Sequence, residues 1–271
     1  MKHKTFLFTA LLCIFDWCCT SCETKEPELP SDNNSSYVAK GISISKNKQV
    51  LFSPGNLQYQ ASTDTWQFAT QQYDILGESN VFYGTTLADK IDLFGWSGSI
   101  GAAKWGISSS TSIDDYAGDF VDWGTNKIGH NTENTWRTLS IDEWEYLLFE
   151  RINAEVLLGI AKVNNIDGVI LLPDNFKLPE DSYFFPVNDG AINVYTAKSW
   201  KSMEQNGAVF LPEAGFRRGI EPSTFGGYYW SSTADVHLSG WAYSIDFACS
   251  DVMKRLANTN LGHAVRLVKD L

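Results

Sequence analysis

The sequence predicts an α+β domain with antiparallel strands, two main helices and long loops, and three observations carry that expectation. Short segments of alternating apolar residues occur near both ends of the chain. Two segments in the middle carry helix start or stop signals. Gly and Asn/Asp punctuate the whole length, which keeps strands short and loops long. Strands, then helices, then strands again favour antiparallel pairing over the alternating order of a parallel sheet.

In chain order, residues 38–60 read as two strands, with Ile42 and Ile44, then Val50 and Phe52, alternating around a Lys46-Asn47-Lys48 turn. Trp66-Gln67-Phe68 is a further short strand. Residues 77–134 are rich in Gly, Ser, Asp and Trp and have little period; a stretch this long is expected to pack through Phe94, Trp96, Trp105, Phe120 and Trp123. Ser140 and Glu143 have capping-box spacing, and Ile141, Trp144, Tyr146, Leu147, Leu148 and Ile152 follow as an amphipathic stripe. Residues 157–163 and 169–172 form a hairpin around Asn165-Ile166-Asp167-Gly168. A second helix runs over 196–205, with Gly207 as its stop. Strands follow at 209–211 and 228–231. Trp241, Tyr243, Ile245 and Phe247 alternate against Ala242, Ser244, Asp246 and Ala248 as a half-buried strand, and Val265 and Leu267 belong to the last one.

The N-terminus has a different character. Lys2 and Lys4 precede an apolar run over residues 6–15, ten residues long, where a membrane-spanning helix needs about 20. Cys19-Thr20-Ser21-Cys22 follows; small residues before a cysteine resemble the lipobox of bacterial lipoproteins, in which the cysteine becomes the acylated first residue. Cys19 stands where that pattern has Leu, and an ordinary secretory leader is the competing reading. The expected organisation is a signal peptide over 1–21, a lipidated Cys22 opening an acidic tether over 22–37, and one domain over 38–271. The tether is Glu, Pro, Ser, Asp and Asn with almost nothing apolar to bury. Glu23, Glu26 and Glu28 resemble the export tags of Bacteroidetes surface lipoproteins. The expected location is the cell envelope, anchored in the outer membrane through the lipid, facing either the periplasm or the outside.

Composition bounds the function. Roughly 230 residues remain for the domain, within the ceiling of about 250–300 for one core. Net charge is −11, and −12 once Lys2, Lys4 and Asp16 leave with the signal peptide. An acidic chain without a Lys/Arg cluster is a poor partner for nucleic acid. Cys13, Cys18, Cys19 and Cys22 all lie in the targeting segment, so the domain keeps Cys249 alone and closes no disulfide within itself.

Several motifs resemble one family. Residues 136–146, Trp-Arg-Thr-Leu-Ser-Ile-Asp-Glu-Trp-Glu-Tyr, are similar to a helix of formylglycine-generating-enzyme-like proteins. Gly226-Gly227-Tyr228-Tyr229-Trp230-Ser231-Ser232-Thr233, with 242–247 and 262–268, resembles the closing strands of the Fibrobacter succinogenes major paralogous domains and related Bacteroides-type lipoproteins. Phe52-Ser53-Pro54-Gly55-Asn56-Leu57-Gln58-Tyr59 and 207–212 match them as well. The resemblance implies a C-type-lectin-like fold in its formylglycine-generating variant, a frame widely used for display and binding. Its catalytic branch is a copper oxidase with a cysteine pair, which Cys249 alone cannot supply; a related iron branch needs clustered histidines, and His130, His237 and His263 have no local metal-motif spacing. These three read as surface or hydrogen-bonded loop histidines. No enzyme activity, catalytic residue or resident cofactor is expected.

The expected function is a surface-exposed or periplasm-facing module that binds a glycan or a protein. A structural or adhesive part of a surface assembly is the first alternative, and a divergent formylglycine-generating-type enzyme the second. The candidate ligand-binding residues are Tyr228, Tyr229 and Trp230, whose side chains alternate across a strand, so that at least one faces a second layer or solvent. Trp241 and Arg217, with Arg218 beside it, are candidates for a rim. Asp115, Asp119 and Asp122 sit in a Gly/Asp loop that also holds Asp114. They supply the oxygen ligands that calcium takes, against the competing reading of a solvated acidic loop. Arg266, alternating away from Val265 and Leu267, is expected to be structural and paired with a carboxylate.

Overall fold

Ile42–Ser45 and Lys48–Phe52 form the predicted hairpin, and Val268–Asp270, from the far end of the chain, pairs on the other side of Lys48–Phe52. This computed structural model describes residues 40–80, 82–83, 86–87, 89–101, 103–248 and 251–271. The expected signal peptide, Cys22, the tether and Cys249 lie outside the described residues.

The two-strand reading of 38–60 is short by one. Ser53-Pro54-Gly55 breaks the run, with Ser53 Oγ donating to Gly55 O, and Leu57–Gln60 then starts a new sheet between Thr65–Phe68 and Lys90–Ile91. The central hairpin is formed by Leu158–Val163 and Ile166–Leu171. Its turn is Asn164-Asn165, two positions tighter than the predicted loop, because both asparagines take positive φ (49° and 68°) and so allow a two-residue connection. Val209–Pro212 extends this sheet antiparallel on one side; Asn193–Tyr195 pairs parallel to Leu158–Val163 on the other, an exception to the expected antiparallel pairing. Phe216–Arg218 joins Glu221–Ser223 and Leu261–Gly262, and Gly227–Ala234, Trp241–Ala248 and Asp251–Asn258 make a longer meander. The architecture is a mixed α/β domain of small open sheets, mostly antiparallel, with two α-helices among the described residues.

Helix α1 (Ile141–Glu145) begins with the predicted capping box: Ser140 Oγ accepts from Glu143 N at 3.2 Å, and Ser140 N donates to Glu143 Oε2 at 2.9 Å. It continues as a π turn over Tyr146–Glu150, closed by Arg151 N donating to Tyr146 O at 2.8 Å. The helix ends there, so Ile152 leaves the expected apolar stripe and is 84% exposed, while Ile141, Trp144, Leu147 and Leu148 are buried. Helix α2 (Ala197–Gln205) is capped by Thr196 and Ser199 and ends before Gly207, whose φ of +96° is the left-handed geometry expected of a helix stop. No helix among the described residues is long and apolar enough to cross a membrane.

Three clusters form the interior. An aliphatic one lies under α1 and includes Ile42, Leu147, Leu171 and Ile245. An aromatic one contains Trp66, Phe94, Trp96, Trp123, Trp136 and Trp230, with Trp105 and Phe120 on its margin. A third joins α2 to the four-stranded sheet through Trp200, Met203 and Phe210. Residues 77–134 therefore pack through their aromatics as expected. Strand Trp241–Ala248 keeps the predicted alternation only in its second half: Ile245 and Phe247 are buried on one face, but Ala242 and Ser244 are buried on the other. The meander lies between two cores. Val265 and Leu267 are buried too, in an extended segment that becomes a strand only at Val268.

Candidate ligand-binding surface

The same sandwiching decides the aromatic run named from sequence. Tyr229 is fully buried, stacked on Phe247 at 5.7 Å, with its hydroxyl donating to Pro212 O at 2.9 Å and accepting from Asn56 Nδ2 at 3.1 Å. Trp230 is 1% exposed on the opposite face, and its Nε1 donates to Phe94 O at 2.7 Å. Arg217 is buried as well, its guanidinium donating to the carbonyls of Ser108, Gly219 and Leu93. These three residues hold the fold together and are not available to a surface ligand, because Tyr229 and Trp230 face cores on opposite sides of their strand and Arg217 is itself fully buried. Tyr228 and Trp241 are half-buried; Tyr228 packs edge-on to Phe216 at 5.4 Å.

The acidic loop does not gather a metal site. Among the described residues no group of three or more His, Cys, Asp or Glu is placed to hold a metal ion. Asp122 is turned inward: its carboxylate accepts from Gly124 N, Thr138 N and Thr138 Oγ1. Asp119 and Asp115 use backbone groups to bind Ser99 and Ala103. Arg266 is structural, but its partners are amides and not a carboxylate: it donates to Gln72 Oε1 at 2.8 Å and Asn56 Oδ1 at 3.3 Å.

His263 is not a surface residue either. It lies between the rings of Trp230 (4.2 Å) and Tyr228 (5.3 Å), with Nδ1 unpartnered. Burial pushes its pKa down to about 3 from 6.5. The folded state keeps the ring neutral, so its contribution to stability is present above about pH 6.5 and is lost as pH falls toward 3. Between pH 7.5 and 5 that loss is about 2 kcal/mol. Asp92 and Asp246, pushed up to about 6 by burial, act in the opposite sense: what they contribute is present below about pH 4 and lost as pH rises through 6. In His263→Phe the ring contacts remain and only the first effect disappears. Urea unfolding at the two pH values should show the variant gaining about 2 kcal/mol on the wild type at pH 5; a difference independent of pH would refute the neutral buried imidazole.

The surface offers a different aromatic pair. Tyr183-Phe184-Phe185 runs beside Asn193–Tyr195, the edge of the four-stranded sheet. Asn193, fully buried, accepts from Phe185 N at 2.7 Å and donates to Phe185 O at 2.8 Å and to Ile160 O at 3.0 Å. Tyr183 Oη accepts from Val194 N at 3.1 Å and donates to Val194 O, and Tyr195 Oη donates to Tyr183 O. Phe184 packs against the third core, while Tyr183 and Phe185 are 41% and 40% exposed with ring centroids 5.5 Å apart. Ile192 and Val194, both more than half exposed, flank them. The ridge is thus exposed yet clamped by a dedicated buried asparagine. Sequence reasoning passed over it; the signal available was the run of three aromatics, Tyr183-Phe184-Phe185, ending at Pro186.

Two grooves are among those at the surface of the described residues. One, of about 490 Å³ beside α1, is lined by Asp142, Glu143 and Glu145 among others. Its acids are partly committed, Glu143 to Arg137 and Glu145 to Lys254. The other, of about 430 Å³, lies beside Tyr73. No family model, curated protein or solved structure matches this chain.

Proposed function

We propose that the chain is an envelope lipoprotein, acylated at Cys22 and held in the outer membrane with its domain facing the periplasm or the outside. The domain, which we read as a C-type-lectin-like fold of the formylglycine-generating variant, is a ligand-binding module for a glycan or a protein. The observation that carries the binding reading is the clamped ridge of Tyr183 and Phe185. Two large rings are kept at the surface while Asn193 fixes the backbone of Phe185 and the Tyr195 hydroxyl that of Tyr183, so little conformational freedom is lost when a partner covers them. The N-terminal motif supports the lipid anchor, and the acidic charge argues against nucleic acid as the partner. A structural role through strand addition has less support at this edge, where Tyr183 already occupies both backbone groups of Val194.

Phe185→Ser in the full chain tests the ridge. Binding measured on a glycan array and by cross-linking at the cell surface should weaken about 30-fold, the effect of losing a buried aromatic anchor of about 2 kcal/mol. The melting temperature should hold, since Phe185 is held by its backbone. Unchanged binding with an intact fold would remove the ridge as the contact surface.

A further inference from the structure

The groove beside Tyr73 goes beyond that reading, since it uses a separate set of residues. It lies between the loop around Tyr73, strand Leu57–Gln60 and the tip of the central hairpin, and six polar residues line it: Gln58, Thr70, Tyr73, Asp74, Lys90 and Asn164. They make no hydrogen bond or ion pair to one another. Gln58 uses its Oε1 to accept from Gln67 and keeps Nε2 uncommitted; Asp74 uses one carboxylate oxygen to accept from Gln71 N and keeps the other. Lys90 forms no ion pair among the described residues. The walls are fixed before any ligand arrives. Leu76 N donates to the fully buried Asp92, which Asn80 also holds, and the left-handed Asn164 is anchored by its N–H donating to Tyr195 O.

The chemistry of the ligand follows from this set. Asp74 and Lys90 balance, so the groove selects neither a cation nor an anion, and the net charge of −11 works against polyanions. Donors and acceptors are mixed, as a hydroxyl-rich molecule requires. Tyr73, half-buried against the third core, adds an aromatic surface for the C–H face of a ring. A volume of about 430 Å³ is at the small end of the range for ligand pockets and leaves room for about one or two rings. We infer that this groove is a binding site for a neutral saccharide unit.

The test is saturation-transfer NMR on the full chain with a panel of neutral hexoses, N-acetylhexosamines, deoxyhexoses, pentoses and their disaccharides. Glucuronic acid and a sulfated disaccharide serve as comparators. A neutral sugar should bind saturably, and at least tenfold more weakly in Tyr73→Ala and in Asp74→Asn. Asp74→Asn keeps an oxygen for Gln71 N, and Lys90→Met supports it should Tyr73→Ala fail to fold. No neutral sugar binding, a preference for the acidic comparators, or full binding in Asp74→Asn and Lys90→Met each overturns the proposal. Loss in Phe185→Ser alone places the sugar on the ridge and overturns the groove while leaving the binding-module reading intact.

Discussion

Trp230→Ala should lower the stability of the domain by about 3–5 kcal/mol, the usual cost of truncating a buried tryptophan. The side chain is 1% exposed within the aromatic core, stacks on His263 at 4.2 Å and donates to Phe94 O. That carbonyl also accepts from His263 N, so the loss is chiefly one of packing. Against a total of about 5–15 kcal/mol for an ordinary domain, a change of this size leaves a large unfolded fraction at 37 °C. Urea unfolding followed by far-UV circular dichroism should show a lower midpoint at an unchanged slope. A cost under about 1 kcal/mol would contradict the packed environment described above. The functional consequence is direct: a ligand lost in this variant reports unfolding and says nothing about a binding site, whereas Phe185→Ser changes a surface.

Arg266→Ala is expected to cost about 3 kcal/mol or more, and Arg266→Met to stay within about 1 kcal/mol of the wild type or to exceed it. Arg266 is 2% exposed and forms no ion pair among the described residues. Its partners are the oxygens of Asn56 and Gln72, and Gln72 passes the chain of bonds on to Glu204 on α2. Burial lowers its pKa to about 10 from 12.5, which still leaves it charged at neutral pH. Gln72 Oε1 keeps Phe210 N as a donor, whereas the single Tyr229 Oη proton goes to Pro212 O, so the polar loss falls on one long contact, at 3.3 Å, to Asn56 Oδ1. What Ala loses is volume, and Met restores most of it while removing a charge that is expensive to bury. If Met proves as damaging as Ala in denaturant unfolding, charge and not volume is the stabilising element.

Much of the local structure was legible in the residues. Ser140 with Glu143 marked the start of α1, and Thr196 with Gly207 the limits of α2, because capping chemistry is local and depends on side chains a few positions apart. Ile42, Ile44 and Val50 declared their strands by alternation. The π turn that expels Ile152 and the two-residue turn at Asn164-Asn165 were harder, since each depends on where a neighbouring strand or core ends the element. The candidate site was legible only in kind. An aromatic-rich, acidic domain with a lipoprotein-like leader points to binding, but composition does not say which rings face water.

By itself the sequence determined the mixed α/β class, the two helix starts and the acidic surface, all of which follow from residue type and short spacing. Tertiary structure alone decided the fate of the aromatics. Tyr229 and Trp230 are consumed because cores cover both faces of their strand, and Tyr183 and Phe185 stay outside because Asn193 holds the backbone of Phe185, and the Tyr195 hydroxyl that of Tyr183, against the sheet edge. Burial is set by what packs from elsewhere in the chain, and an alternating pattern records only that two faces exist.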